Sequence, residues 1–205
     1  MPRKAVSKRP AASAGRDLRV EQLVSSFFRI IGEDESREGL VETPERVRLA
    51  CDEIFAGYRQ DPKKILKTFS EDVCREMVLL KNCEFYSTCE HHLFPFFGHI
   101  SVAYLPNRKI VGISKLARLV DCFARRLQIQ ERLTAQIADA IMDVLDARGA
   151  YVLCEATHFC MTSRGIRKQS ASMVTSAIRG EFEKKESLRM EFLAKVTGSI
   201  SGKTR

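Results

Sequence analysis

A chain of 205 residues, 44% hydrophobic and 29% charged, holds enough apolar material for one folded domain with a real core and room for an appendage. No apolar run reaches the ~20 residues that span a bilayer, and the basic start MPRKAVSKRPAASAGR lacks the apolar stretch of a secretory signal, so neither a membrane protein nor an exported one is expected. The net charge of +8 does not make a nucleic-acid binder either: Arg3, Lys4, Lys8, Arg9 and Arg16, with no acid among residues 1–16, carry five of those charges and leave +3 for the rest, and no nucleic-acid motif accompanies them.

Residues 1–16 read as a disordered, solvated basic arm. A helical N-terminal region follows over 17–70. Asp17 to Ile31 carries an apolar stripe of Leu18, Val24, Phe27, Phe28 and Ile31 near the 3.6 period. Thr43-Pro44 marks a second helix, with Thr43 as N-cap and Pro44 in the first position, running to about Ala56 and ending at Gly57. Asp61-Pro62 opens a short third one. Residues 71–197 form the expected main domain. Met77 to Tyr86 and Gly98 to Leu105 alternate as strands, bracketed by turn residues around Pro95 and Pro106-Asn107. Two helices come next. Ser114 caps the first, which presents Leu116, Leu119, Val120, Phe123 and Leu127 on one face. The second runs from Gln130 to Ala147, with Leu133, Ile137, Ile141, Val144 and Leu145 inward and Gly149 closing it. Strands are expected at 151–161 and 171–179, a last helix at 186–194, and a flexible tail at 198–205. The order β-β-α-α-β-β predicts an α+β fold, an antiparallel sheet packed on helices. The seven cysteines, at 51, 74, 83, 89, 122, 154 and 160, show no disulfide spacing, which points to a reducing, cytoplasmic setting.

Cys89-Glu90-His91-His92 puts a thiol and two imidazoles in a turn that follows a strand, and Thr157-His158-Phe159-Cys160 supplies a second His and Cys much later in the chain. Thiolate and imidazole together suit zinc, and three protein donors leave a position for water, as catalytic rather than structural sites do. Alone, a C-x-x-H is a weak signature, because free cysteine is common in cores. Within a strand over 151–161, His158 and Cys160 project from the same face, so one can bind a metal while the other moves a proton. Lys115 and Arg118 stand three apart on a helix, and Arg164 and Arg167 follow the second His and Cys. They read as a phosphate cradle or as a solvated charged face. Gln130-Glu131 opens a helix, where the dipole favours a carboxylate. Beyond that local role, Glu131 can accept two parallel N–H groups, as guanine presents them at N1 and its 2-amino group.

The runs STCEHH (87–92), GISKLAR (112–118), QIQERL (128–133) and THFCMTSRGI (157–166), in this order, resemble zinc-dependent GTP cyclohydrolase I, and the resemblance covers about residues 17–196. It implies a T-fold subunit and a homodecamer of two stacked pentamers with active sites at subunit interfaces. It also implies a reaction, in which GTP and water give formate and 7,8-dihydroneopterin triphosphate, the first step toward tetrahydrofolate or tetrahydrobiopterin. Carried onto this chain, the resemblance implies Zn2+ held by Cys89, His92 and Cys160. His91 and His158 are the implied proton-transfer residues, with Ser114 acting near the ribose. Gln130 and Glu131 are implied for the guanine, and Lys115, Arg118 and Arg164 for the ribose and triphosphate. Arg46 is a candidate for an arginine lent by a neighbouring subunit. A feedback regulatory protein is a further partner the family admits. Two other readings stand beside this one. A zinc-free T-fold nitrile reductase of queuosine biosynthesis fits poorly with the paired CEHH and HFC runs. A non-catalytic zinc-binding homologue fits poorly with the retention of both histidines and all the basic residues.

Overall fold

The structure is a computed structural model that describes residues 19–70 and 74–198; the expected basic arm and all but the first residue of the expected tail lie outside them. The chain divides into two compact units, one ending at Cys51 and one beginning at Asp52. In the first, helix α1 (Val20–Ile31) buries Phe28 and stops at Gly32, which takes the left-handed conformation (φ 77°) that a side chain resists. Helix α2 (Thr43–Ile54) begins at Thr43 itself, so that Pro44 is its second residue, and it ends before Gly57 rather than at it. Within this unit Arg48 of α2 reaches Glu21 of α1 at 3.2 Å.

The second unit takes in the last residues of α2 and continues with a 3-10 turn (Ala56–Arg59) and helix α3 (Pro62–Ile65), whose Asp61 cap accepts a hydrogen bond from the Lys63 N–H at 2.9 Å. Strand β1 (Thr68–Phe69) pairs with β4 (Ile110–Val111). The main sheet is built from β2 (Val78–Cys89), β3 (Pro95–Leu105), β6 (Gly149–His158) and β7 (Met173–Gly180), antiparallel neighbours in that order, with the short β5 (Leu127–Gln128) added in parallel to the end of β2. Helices α4 (Ile113–Ala124) and α5 (Gln130–Leu145) lie between β3 and β6 in the chain. Three helices complete the unit: α6 (Phe159–Thr162), α7 (Glu181–Lys184) and α8 (Glu186–Thr197). The long elements therefore follow the β-β-α-α-β-β order expected from the sequence, an α+β fold. No helix among the described residues is long and apolar enough to cross a membrane.

Alternation along the strands assigns the two faces. Ile100, Val102 and Tyr104 of β3, with Val152 and Cys154 of β6, point into the core beneath Leu116, Leu119 and Phe123 of α4 and Leu133, Ile137 and Ile141 of α5. The intervening residues Ala103, Leu105 and Tyr151 face the other way and meet Phe182 and Phe192. Each fully buried aliphatic or aromatic side chain here contributes roughly 1.5–3 kcal/mol.

Several element ends differ from the sequence reading, each for a local reason. The cap of α4 is Gly112, in extended backbone, and Ser114 sits exposed inside the first turn. At the end of α5 it is Asp146, not Gly149, that takes the left-handed conformation (φ 51°), and Gly149 instead opens β6. The largest difference is at 151–161. The strand ends at His158, and Phe159–Thr162 is helical, so Cys160 does not alternate with His158 along a strand. The last cross-strand pair is Phe96 with His158. The next position on β3 is Pro95, which has no N–H to continue the ladder, and the chain is released to turn.

Gly98 lies opposite Ala156 across β3 and β6. A Cβ there would stand 2.0 Å from the Glu155 carbonyl oxygen and 2.7 Å from the Ala156 Cα, backbone atoms that cannot step aside. Gly98→Ala is expected to cost about 1–3 kcal/mol through this overpacking, read as a lower urea midpoint for unfolding; an unchanged midpoint would mean that the two strands have slack.

Candidate active site

Strand β2 leaves the sheet at Cys89 and the chain reverses at once. The Cys89 N–H donates to the Phe94 carbonyl (2.8 Å) and the Leu93 N–H to the Cys89 carbonyl (2.9 Å), with Leu93 in the left-handed region (φ 57°). This tight turn displays Glu90, His91 and His92. It is tied to the segment entering α5. The Glu90 N–H donates to the Gln128 carbonyl at 3.0 Å, just beyond the Cys89–Gln128 register pair. The Glu90 carboxylate bonds to the Arg132 guanidinium, which also donates to Gln128 Oε1 (2.9 Å) and the Leu127 carbonyl (3.1 Å). That guanidinium holds the Glu90 carboxyl below the usual carboxylate range.

From the other side, β6 delivers His158 and the first turn of α6 delivers Cys160. The Sγ atoms of Cys89 and Cys160 and a ring nitrogen of His92 all lie within 4.8 Å of one another, and no other such trio of potential metal donors exists among the described residues. A tetrahedral ion with two sulfur and one nitrogen donors places them about 3.6–3.8 Å apart, so the trio fits a metal with a small closing movement. Cys89 is buried, Cys160 half-buried and His92 exposed, which leaves the group open on the histidine side. Burial pushes the Cys160 thiol up from its ordinary value, and the adjacent Cys89 adds to this. The Cys160 thiol therefore resists ionisation until a cation joins it.

His91 is exposed, its ring edge-on to His92 at 6.2 Å. His158 is half-buried and stacked on Phe96, with ring centroids 4.5 Å apart and planes 5° from parallel. Its Nε2 lies 2.8 Å from Gln130 Oε1. Burial holds His158 below the ordinary histidine value, while the Glu131 carboxylate acts in the opposite sense. Gln130 is 1% exposed, and its side-chain nitrogen donates to the Met173 carbonyl (2.9 Å) and the Cys154 carbonyl (3.1 Å). Glu131, its neighbour, turns outward in the first turn of α5.

The basic residues are less closely assembled. Lys115 and Arg118 occupy the first turns of α4 and Arg164 follows α6; none of the three pairs with a carboxylate among the described residues. Arg164 is near enough to Cys160 to favour its thiolate. Ser114, Lys115 and Arg118 make no hydrogen bond or ion pair with the metal-donor trio or with His158. Arg46, in the first unit, is exposed and pairs with Glu42 one helical turn before it. Sequence reasoning missed Phe96, because which residue faces His158 depends on strand register. It also missed the Glu90–Arg132 pair, although both residues lie inside the quoted runs.

Fold and donor set together define a class, an α+β protein whose antiparallel sheet ends in a Cys-His-Cys group able to take a metal ion. Residues 20–197 match the family model of GTP cyclohydrolase I. GTP cyclohydrolase 1 of Wolinella succinogenes is 54% identical over 182 residues, spanning 88% of this chain and 97% of that protein. The protein of the same name from Helicobacter pylori strain G27 is 51% identical over 175 residues, spanning 85% and 97%. The chain belongs to the GTP cyclohydrolase I family.

Proposed function

We propose that this protein is a zinc-dependent GTP cyclohydrolase I that converts GTP and water to formate and 7,8-dihydroneopterin triphosphate. The observation that carries this reading is the meeting of a Cys-His-Cys donor trio with a half-buried histidine, His158, two residues from one of the donors. Cys89, His92 and Cys160 would hold the zinc. When bound, the ion lowers the pKa of a coordinated water toward ~7 and so supplies a nucleophile at neutral pH.

The chain's own residues do the rest. Guanine C8 is a poor electrophile until N7 is protonated, and His158 is the group that provides that proton. Glu131 accepts the guanine N1–H and 2-amino hydrogens and fixes the base. Lys115, Arg118 and Arg164 bind the triphosphate, which does no chemistry and serves to orient the substrate. His91 and Ser114 act on the ribose, which must open, rearrange and close onto the freed amine. Glu131, His91 and His92 are exposed in the single chain, which accords with active sites completed by a neighbouring subunit in a homodecamer of two pentamers. The unpaired thiols accord with a reducing cytoplasm.

The test is formate release from GTP by zinc-loaded protein, followed together with appearance of the pterin product. Stoichiometric formate and pterin are expected. A fully metal-loaded, folded protein that releases no formate from GTP would overturn the reading.

A further inference from the structure

Both amide hydrogens of Gln130 are committed within the protein. The Met173 and Cys154 oxygens that its amide faces are main-chain carbonyls, which only accept, so the amide atom turned to them must be the nitrogen, and its two hydrogens are used there. Thr175 Oγ1 lies 3.2 Å from the same nitrogen. Thr134 Oγ1, itself 2.7 Å from Thr175 Oγ1, donates to the Gln130 main-chain carbonyl at 2.7 Å and ties the residue down from behind. The amide oxygen is thereby aimed at His158 Nε2, 2.8 Å away. An amide oxygen also only accepts, so Nε2 must carry a hydrogen. A neutral ring carrying that hydrogen has its lone pair on Nδ1. Stacking on Phe96 fixes the ring plane, and Nδ1 has no hydrogen-bond partner among the described residues.

We propose that Gln130 is a positioning residue that locks His158 in its Nε2–H form, and that the nitrogen presented to the substrate is Nδ1. Guanine recognition then falls to Glu131 rather than to the glutamine beside it. The inference rests on the reading of His158 as the proton-transfer histidine of the GTP cyclohydrolase reaction. In that transfer the Nδ1–H bond of the imidazolium breaks and the guanine N7–H bond forms, leaving a neutral ring whose Nε2–H remains bonded to Gln130.

Two measurements test it. Zinc-loaded protein labelled with 15N in its histidine rings gives long-range proton–nitrogen correlations that separate the two neutral tautomers, with His158 identified by its loss in His158→Asn. Nε2–H with bare Nδ1 is expected; Nδ1–H with bare Nε2 overturns the proposal. Gln130→Leu should lower kcat on the order of 10- to 100-fold, with KM for GTP and bound zinc near those of the unaltered protein. A raised KM with unchanged kcat would make Gln130 a guanine ligand and overturn the proposal. If Gln130→Leu does not fold, the spectrum of the unaltered protein decides alone. That spectrum needs no GTP, so failure of formate release with an Nε2–H signature would refute the functional reading and leave the histidine assignment standing.

Discussion

Cys89→Ser and Cys160→Ser should each lose bound metal and turnover together, with formate release from GTP falling by at least about 100-fold. Serine keeps the shape of cysteine in a slightly smaller side chain but offers a hydroxyl that stays protonated where a thiol would yield to the ion, and two remaining donors make a poor site. The fold should survive both changes. Cys160 lies beyond the last cross-strand pair, on a short helix that the sheet does not need. Cys89 is buried, but its main-chain bonds to the turn do not depend on its side chain. The check is metal content, formate release and circular dichroism on the same samples. A Cys89→Ser protein that keeps both metal and turnover would remove that thiol from the site, and active unaltered protein free of any divalent ion would dispose of the metal altogether.

Glu131→Gln should reduce GTP affinity and turnover by at least tenfold while leaving zinc content unchanged. The carboxylate offers two acceptors to the two parallel donors of guanine, a charge-assisted pair of bonds. Glutamine preserves the size, removes the charge and turns one acceptor into a donor that faces another donor. Leaving such a group unpaired costs roughly 1–3 kcal/mol, on top of the charged bonds lost. For the same reason the unaltered protein should reject ATP, which shows an acceptor at N1 and no 2-amino group. Titration of GTP against both proteins, with ATP as a control substrate, gives the answer. Equal turnover of GTP by the variant, or equal turnover of ATP by the unaltered protein, would take Glu131 out of the guanine contact.

The parts of the molecule that could be read in the sequence were those encoded by local period or by a compact motif. The apolar faces of α4 and α5 follow from residues such as Leu116, Leu119, Leu133 and Ile137, all buried as their spacing required. The donor trio could be named because cysteine and histidine carry their chemistry wherever they sit. What escaped was set by partners distant in the chain. The strand expected through Met161 stops at His158 because of Pro95 on another strand, and a residue's own window does not contain its cross-strand neighbour. Ser114 looked like a cap by residue type, but Gly112 already held the extended conformation that a cap needs. Gln130 stood in the right motif. Its position beneath His158 depends on the Met173 and Cys154 carbonyls, supplied by two strands that sequence reasoning could list but not align.

The five residues from Gln128 to Arg132 act as a jig on which separately made parts are mounted. Gln128 gives its carbonyl to the turn that carries Cys89, His91 and His92. Gln130 seats the ring of His158, Glu131 is left pointing outward, and Arg132 reaches back to Glu90. The even-numbered positions grip the protein, while Glu131 between two of them stays exposed. A residue added or lost within this run would exchange those duties all at once, detaching the turn, freeing the histidine and burying the carboxylate. Its length therefore carries as much information as its side chains.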